Sequence, residues 1–227
     1  AAGLSGVLTG NITVQIRNPQ PGGGDSDSLD FTVNDNHTFY VSREITGKSS
    51  PQFPAIAADS AGNINVVCDN FSQGKYDVFF IRSTDGGSSW SSPANISNNN
   101  EDSELPDIAV DQAGNIDVFW ENHILLQSEI YFKRSTDGGT TWSRAVNVSG
   151  NSGYSAQPDT VVDEAGSIDV AWHDDTPGNA EIFFSRSTDN GADWSPAVNV
   201  STSPALSVRP DIAVDSSGNI ALVWLEV

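Results

Sequence analysis

The stretch Pro54-Ala-Ile-Ala-Ala-Asp59-Ser-Ala-Gly62-Asn63-Ile64 decides the fold, because the chain repeats it. Further copies run over residues 106–116, 158–168 and 210–220. Each copy starts 52 residues after the previous one, with no insertion or deletion. A fixed period of this length is typical of proteins that stack one supersecondary unit many times.

A second motif keeps the same period. It reads Ser83-Thr-Asp85-Gly-Gly87-Ser-Ser-Trp90, then Ser135-Thr-Asp137-Gly-Gly139-Thr-Thr-Trp142, then Ser187-Thr-Asp189-Asn-Gly191-Ala-Asp-Trp194. The shared pattern, Ser-x-Asp-x-Gly-x-x-Trp, resembles the Asp-box, or bacterial neuraminidase repeat, of sialidase-like β-propellers. The resemblance covers roughly residues 37–227 and implies a propeller fold.

One repeat predicts four strands. Residues 108–111 are short and apolar, 111–115 form a tight turn in which Gly114 supplies the positive φ, and 116–120 alternate. Residues 129–134 alternate again, and the Ser-x-Asp motif then turns the chain into an outer strand over 145–148. Four strands in about 50 residues describe a propeller blade. We therefore predict an all-β propeller of four-stranded antiparallel blades.

The second motif predicts structural duties for its residues. A short carboxylate can accept hydrogen bonds from its own turn, glycine tolerates positive φ, and tryptophan fills the space between neighbouring blades. The family resemblance likewise implies that these residues lie away from the active face. The structural set comprises Ser83, Asp85, Gly87, Trp90, Ser135, Asp137, Gly139, Trp142, Ser187, Asp189, Gly191 and Trp194.

The last repeat contains only two strands, over residues 210–227. Residues 41–46 align with an outer strand, and 29–33 or 37–41 could supply a third strand. The first expectation is a four-bladed ring in which the N- and C-terminal strands complete the last blade, so that no sheet edge stays open. Two alternatives stay open: the chain is an excerpt of a longer protein, or the halves pair between molecules as a head-to-tail polymer.

Residues 1–36 do not follow the repeat. Residues 11–17 and 29–33 read as strands, and the proline- and glycine-rich stretch 18–28 reads as a turn or linker. This resembles the last hairpin of a bacterial Ig-like surface domain. We therefore predict two regions, an N-terminal strand and linker region over 1–36 and the propeller over 37–227.

The amino-acid composition limits the classes of partner that the protein can bind. Ten basic and thirty acidic residues give a net charge of −20, which argues against nucleic acid and anionic membranes as partners. Cys68 is the only cysteine, so the chain has no internal disulfide, and it is expected to be a small buried apolar residue. No apolar run is long enough to insert into a membrane. We predict an acidic bacterial protein that is secreted or displayed at the cell surface.

The upper face of the propeller carries the loops that precede each first strand and those that join the second and third strands. The candidate ligand-binding residues on this face are Asp69, Glu121, His123, His173, Asp174, Asp175 and Arg209. The clearest departures from the repeat are Asn122-His123 and His173-Asp174-Asp175. The face is acidic, and Arg209 is its single arginine.

That charge distribution argues against sialidase activity. The family resemblance implies three arginines for the sugar carboxylate, together with a Tyr–Glu nucleophile pair and an Asp acid. Here Arg82, Arg134 and Arg186 occupy one repeat position just before the second motif, where structural duties are expected. A general glycosidase needs two carboxylates across a sugar, and Glu121, Asp174 and Asp69 lie on related loops.

No cofactor and no metal site are expected. The two histidines with Asp174 and Asp175 lack the spacing of a zinc site, and the Asp-x-x-Gly-Asn turns lack a full calcium loop. A weak Ca²⁺ site among the upper carboxylates stays open.

The unbroken repeat and short loops favour a non-catalytic binding or structural module for a glycan or protein ligand, with no catalytic residues assigned. Two alternatives remain. One is a head-to-tail polymer that self-associates through the N-terminal strands, and the other is a carbohydrate-active hydrolase without the arginine triad.

Overall fold

The computed structural model describes residues 11–14, 29–32, 51–125 and 127–227, the first two segments as backbone only. Every regular element in these residues is a β-strand. The described part contains no helix long and apolar enough to cross a membrane. The chain separates into two compact units, residues 1–44 and 45–227.

The N-terminal unit contains one antiparallel pair. Strand β1 (Asn11–Val14) pairs with β2 (Leu29–Thr32), with Asn11 opposite Thr32. Both strands fall inside the segments predicted from sequence. The boundary predicted after residue 36 stays a prediction, because residues 33–50 lie outside the described part.

The second unit contains three complete blades, each a four-stranded antiparallel sheet in chain order. Blade 1 consists of β3 (Pro51–Ala58), β4 (Ile64–Ser72), β5 (Lys75–Ser83) and β6 (Ala94–Asn95). Blade 2 consists of β7 (Asp102–Val110), β8 (Ile116–Ile124), β9 (Gln127–Ser135) and β10 (Val146–Asn147). Blade 3 consists of β11 (Ser155–Val162), β12 (Ile168–Asp174), β13 (Glu181–Ser187) and β14 (Val198–Asn199). The predicted propeller of four-stranded, 52-residue blades is confirmed.

The fourth repeat forms a half-blade of two strands, β15 (Ser207–Val214) and β16 (Ile220–Glu226). Completion of this half-blade by N-terminal strands stays a prediction. One proposed donor, residues 29–33, overlaps β2, which pairs with β1, and the others, 37–41 and 41–46, lie outside the described residues.

The first strand of each repeat is longer than predicted. The apolar run 108–111 was expected to be the whole strand, yet β7 begins at Asp102. A β-bulge between Glu104 and Asp107 lets the strand continue through the unpaired Leu105-Pro106 step. The same register shift recurs in the other three first strands.

The turn between the first and second strands forms as predicted. In blade 1 the Asp59 carboxylate accepts hydrogen bonds from the backbone N–H groups of Ala61 and Asn63, and Gly62 has a φ of 81°. The same bonds recur at Asp111, Asp163 and Asp215. One short side chain thus satisfies each turn locally.

Apolar side chains fill the spaces between blades. At the first junction, Val67, Val78 and Phe80 of blade 1 pack with Ile116, Val118 and Trp120 of blade 2, and Trp142 lies against this cluster. At the second junction, Phe119, Ile130 and Phe132 pack with Ile168, Val170 and Trp172, and Trp194 covers them.

The predicted burial of Cys68 is confirmed, and burial raises the pKa of its thiol to about 11.

Candidate functional site

Four bulges meet around the propeller axis. Phe53, Leu105, Gln157 and Arg209 occupy one position of the four repeats, directly before the repeat proline. With the prolines and the following residues they line a funnel of about 330 Å³ at the upper face. This face is the end at which the first strands begin.

All four of these residues have a left-handed backbone. Their φ angles are 44°, 50°, 53° and 54° for Phe53, Leu105, Gln157 and Arg209. Side chains other than glycine pay about 1–2 kcal/mol for this conformation, and asparagine or glycine would hold it at lower cost. The position instead carries an aromatic ring, an aliphatic chain, an amide and a guanidinium. Strain of this kind concentrates at ligand sites.

Two carboxylates lie just inside the funnel. Asp107 accepts the backbone N–H of Thr160 at 2.7 Å, and Asp159 accepts that of Ile212 at 2.5 Å. Burial, with the nearby Asp159 carboxylate, raises the pKa of Asp107 to about 7. Burial also raises the pKa of Asp159. These two residues therefore link consecutive blades, and both carboxyl groups are harder to ionise than a free aspartate.

A polar cluster lies on blades 2 and 3, and one member, Glu104, directly precedes the funnel residue Leu105. The buried Glu121 carboxylate accepts the Tyr154 hydroxyl at 2.6 Å and lies 3.1 Å from Nε2 of His123. Glu104 lies opposite Glu121 across β7 and β8, with its carboxylate 4.0 Å from the same Nε2. Burial raises the pKa of Glu104, and burial followed by the bond to Glu121 raises that of Tyr154. Tyr154 and His123 reach the surface of this cluster.

The predicted histidine–aspartate triplet divides into different roles. Asp174 is buried and accepts hydrogen bonds from the side chains of Ser155 and Asn151, at 2.6 and 2.5 Å, so it braces its own blade. Asp175 is exposed and accepts the backbone N–H of Tyr154 at 2.6 Å. Burial lowers the pKa of the half-buried His173. Of these three, Asp175 and His173 remain accessible to a ligand.

Asp69 is fully buried rather than open to solvent. One of its carboxylate oxygens accepts the backbone N–H of Leu105 at 3.0 Å, and burial raises its pKa. It holds the bulge of the next blade in place. Four of the predicted ligand residues reach the surface: His123, His173, Asp175 and Arg209. The other three, Asp69, Glu121 and Asp174, are buried.

The sequence places Phe53, Leu105 and Gln157 on the upper face, but they were not selected as ligand residues, and Tyr154 and Glu104 were not singled out. Tyr154 takes the repeat position of Asp102 and Leu206, so comparison of the repeats marks it as a departure. The residue before the repeat proline is likewise the variable member of an otherwise regular stretch.

No group of three or more His, Cys, Asp or Glu side chains that could hold a metal ion occurs in the described residues. The weak Ca²⁺ site considered from sequence stays a prediction.

The Ser-x-Asp-x-Gly-x-x-Trp motifs lie beyond the third strands, at the end of the blades opposite the funnel. Ser83 donates to Asp85 at 2.8 Å, accepts the N–H of Gly87 at 2.8 Å, and Asp85 accepts the N–H of Ser89. The copies at Ser135-Asp137-Gly139 and Ser187-Asp189-Gly191 make the same bonds. Hydrogen bonds from the Ser89 hydroxyl, from the Ser89 N–H and from Ser83 lower the pKa of Asp85 to about 2.

The arginines before these motifs are paired inside the blades. Arg134 lies 2.6 Å from Asp117 and 2.5 Å from Asp111, and Arg186 lies 2.6 Å from Asp169. Arg82 lies 3.3 Å from Asp59. They do not reach the funnel, whose single lining arginine in the described residues is Arg209.

Comparison with known proteins shows the fold. No family model matches the chain, and no curated protein matches it. A protein of unknown function from Dyadobacter fermentans DSM 18053 superposes with a TM-score of 0.64 at 14% identity, over 96% of this chain and 72% of that one. The GH93 α-L-arabinofuranosidase of Fusarium graminearum, solved with arabinobiose, gives 0.59 at 15% identity, over 78% and 56%.

A Hadza microbial sialidase, Hz136, superposes with a TM-score of 0.56 at 14% identity, over 87% of this chain and 47% of that one. The chain spans about half the length of the sialidase and of the arabinofuranosidase. At these identities the likeness concerns the fold alone. The chain therefore has a β-propeller fold, similar to the folds of these solved propellers.

Proposed function

We propose that this chain is an extracellular or cell-surface propeller whose upper funnel binds a neutral glycan. The observation that carries the proposal is that four residues around one funnel have a positive backbone φ and carry chemically different side chains. A purely structural repeat has no reason to keep Phe53, Leu105, Gln157 and Arg209 at a position where backbone strain favours glycine.

The lining chemistry suits a sugar. Phe53 is 52% exposed and offers an aromatic face against which the C–H groups of a sugar ring can pack. Gln157 can donate and accept hydrogen bonds to hydroxyl groups, and the Asp107 carboxylate can accept them. A small number of polar groups beside apolar surface is the usual composition of a small-ligand site.

Charge argues for a neutral ligand. Arg209 is the one arginine in the described lining of the funnel, whereas Asp107 and Asp159 line it and Glu104 directly precedes the lining residue Leu105. A sugar carboxylate would meet these acidic groups without the several cations that anionic ligands usually need. Arabinobiose, which the arabinofuranosidase structure contains, is a neutral disaccharide and serves as a first probe.

Calorimetric titration tests the proposal. Arabinobiose, longer arabino-oligosaccharides and 3′-sialyllactose would each be titrated into the chain and into the variants F53A and Q157A. We expect saturable binding of a neutral sugar, weaker by about tenfold in each variant, which corresponds to about 1.4 kcal/mol. The control is V198A, because Val198 is an exposed apolar residue on the outer strand. Binding of sialyllactose alone, or equal affinity in all variants, would contradict the proposal.

A hydrolase is the second candidate. Glu104 and Glu121 face each other across β7 and β8, and a pair of carboxylates is the common requirement of glycosidases. Glu121, however, is buried and already bonded to Tyr154 and His123, which favours binding over catalysis. Release of reducing sugar from linear arabinan, lost in E104Q, would support hydrolysis and overturn the non-catalytic part of the proposal.

Self-association through the N-terminal strands is a third possibility that the same sample can test. Light scattering at several concentrations distinguishes a monomer near 24.1 kDa from open-ended species. Open-ended species would support a structural polymer.

A further inference from the structure

A second groove lies between blades 1 and 2, both of which are complete four-stranded sheets. Its volume is about 500 Å³, and it shares no described lining residue with the funnel. Its described lining contains one arginine and no acidic side chain, although the whole chain has a net charge of −20. We call it the outer groove; its lining includes Arg82, Thr84, Trp90, Ser92, Gly138 and Thr140.

Arg82 has fewer partners than the arginines at the same position of the next two repeats. Each of those arginines pairs with two carboxylates, one from the second strand and one from the turn. Blade 1 has Asn65 in place of the second-strand acid, and Arg82 pairs with the turn residue Asp59 alone, at 3.3 Å. Nε of Arg82 and the buried Asn65 amide make no hydrogen bond within the described residues. The charge of Arg82 is therefore only partly compensated inside its blade.

The Arg82 guanidinium extends toward the turn of the next blade. A Cβ added at Gly138 would overlap Nη1 of Arg82, so glycine leaves room for this nitrogen. The one hydrogen bond that the guanidinium makes within the described residues runs from Nη2 to Asp59. In contrast, Arg134 is held inside blade 2, where its side chain is only 5% exposed. Nη1 of Arg82 is therefore a free donor in the wall of the outer groove.

The rest of the lining is small, hydroxylated and apolar. Ser92 stands where the next repeat has the much larger Arg144, which keeps the groove open. Thr84 and Ser92 are exposed, and their hydroxyl groups make no hydrogen bond within the described residues. Trp90 adds apolar surface. A cation, free hydroxyl groups and an apolar wall together suit a sugar that carries an acidic group.

We propose that the outer groove binds a monoanionic sugar of the uronic acid class through its carboxylate. The carboxylate accepts a hydrogen bond from Nη1 of Arg82, and the hydroxyl groups of Thr84 and Ser92 bond to those of the sugar. A ligand with one negative charge fits best, because a single, partly paired guanidinium is the only cation in the described lining. This site is separate from the funnel and does not depend on the ligand of the funnel.

An NMR titration tests the site. Sodium glucuronate would be added to the isotope-labelled chain while the backbone amide signals are followed, with the neutral methyl ester of glucuronic acid as the control at equal ionic strength. We expect saturable shifts around Thr84, Ser92 and Gly138 with glucuronate and none with the ester. Equal shifts with the ester, or glucuronate shifts centred on Arg209, would overturn the proposal.

Two variants of one turn position isolate the role of Arg82. G138N puts a side chain where Nη1 lies, whereas G86N changes the equivalent glycine of blade 1, at which a Cβ would meet nothing within 4 Å. Asparagine tolerates this backbone, as Asn190 does in the third repeat with a φ of 65°. We expect glucuronate to bind G138N about tenfold more weakly and G86N as tightly as the wild type. Equal affinity in all three proteins would overturn the proposal.

N65D is the second test, because it adds a carboxylate beside Arg82 without changing the lining of the groove. We expect glucuronate to bind N65D about tenfold more weakly, since the new carboxylate competes for the guanidinium. Unchanged affinity in N65D would contradict the role of Arg82. N-acetylglutamate amide that binds the wild type as tightly as glucuronate does would assign the groove to an acidic peptide and overturn the proposal.

Discussion

The Asp107 carboxylate accepts a hydrogen bond of 2.7 Å from the backbone N–H of Thr160, which lies 53 residues further along the chain in the next blade. Asp159 makes the equivalent bond to Ile212 in the half-blade. Neighbouring blades are thus joined by a buried acid at the axis, and this arrangement has a consequence for pH.

The raised pKa of Asp107 predicts lower stability above neutral pH. Because its pKa rises from 3.8 to about 7 on folding, the folded chain keeps a proton that the unfolded chain releases. The contribution of Asp107 to the free energy of unfolding therefore falls as pH rises from about 4 to about 7. We expect the free energy of unfolding of D107N to gain more than about 1 kcal/mol on that of the wild type between pH 4 and pH 8. Urea unfolding at both pH values measures this difference.

Asp211 provides the control for this prediction, because it occupies the same repeat position and accepts no hydrogen bond from the described residues. The Asp211 carboxylate contributes, after burial, to the raised pKa of Asp159, so D211N should change the pH dependence of stability, but by less than D107N does. A D107N variant that is equally destabilised at pH 4 and pH 8 would mean that the bond to Thr160, not the ionisation, dominates.

Replacement of three equivalent glycines by alanine is expected to destabilise the chain to different extents. All have φ near 85°, but a Cβ on Gly139 would lie 2.1 Å from Phe80 and one on Gly191 would lie 2.1 Å from Phe132. A Cβ on Gly87 would meet nothing closer than 3.8 Å. We expect the free energy of unfolding of G139A and of G191A to fall by about 2 kcal/mol more than that of G87A. In both variants the new Cβ overlaps a buried ring of the preceding blade. Denaturant midpoints compare the three, and equal losses would point to backbone strain alone.

Asn65 interrupts an ion-pair pattern. It faces Arg82 across β4 and β5, where the other blades place Asp117 opposite Arg134 and Asp169 opposite Arg186. The buried Asn65 amide makes no hydrogen bond within the described residues. We expect N65D to stabilise the chain by about 1 kcal/mol by pairing with Arg82.

The reverse changes are the matched controls for Asn65. D117N and D169N should each cost about 1 kcal/mol, because each leaves an arginine with one carboxylate partner instead of two. Thermal unfolding measures all three variants. A destabilised N65D would show that the desolvation of the new carboxylate outweighs its attraction to Arg82.

At a bulge position, a glycine variant is expected to be more stable than an alanine variant. Gln157 has a φ of 53°, so glycine relieves strain there while alanine keeps it. We expect Q157G to be more stable than Q157A by about 1 kcal/mol, and both to bind sugar more weakly than the wild type. Calorimetry and urea unfolding give the two quantities. A Q157G variant that binds like the wild type would remove this residue from the site.

The repeat period predicted the blades and their turns well, because Asp59, Gly62 and their counterparts satisfy each turn from within the same few residues. The site was harder to predict. Phe, Leu, Gln and Arg before proline carry no local signal for a left-handed backbone, which arises at the β-bulge of each first strand. Likewise, alternation alone does not show that Asp69 and Asp174 are turned inward and bonded to neighbours 36 and 19 residues away.

Hydrogen–deuterium exchange with and without linear arabinan tests the central claim most directly, because it reports which face the ligand covers. The account predicts slower exchange over residues 51–55, 102–107, 155–159 and 207–211 at the funnel, with the Ser-x-Asp turns at 83–90, 135–142 and 187–194 unchanged. Protection confined to those turns, with the funnel segments unchanged, would contradict it.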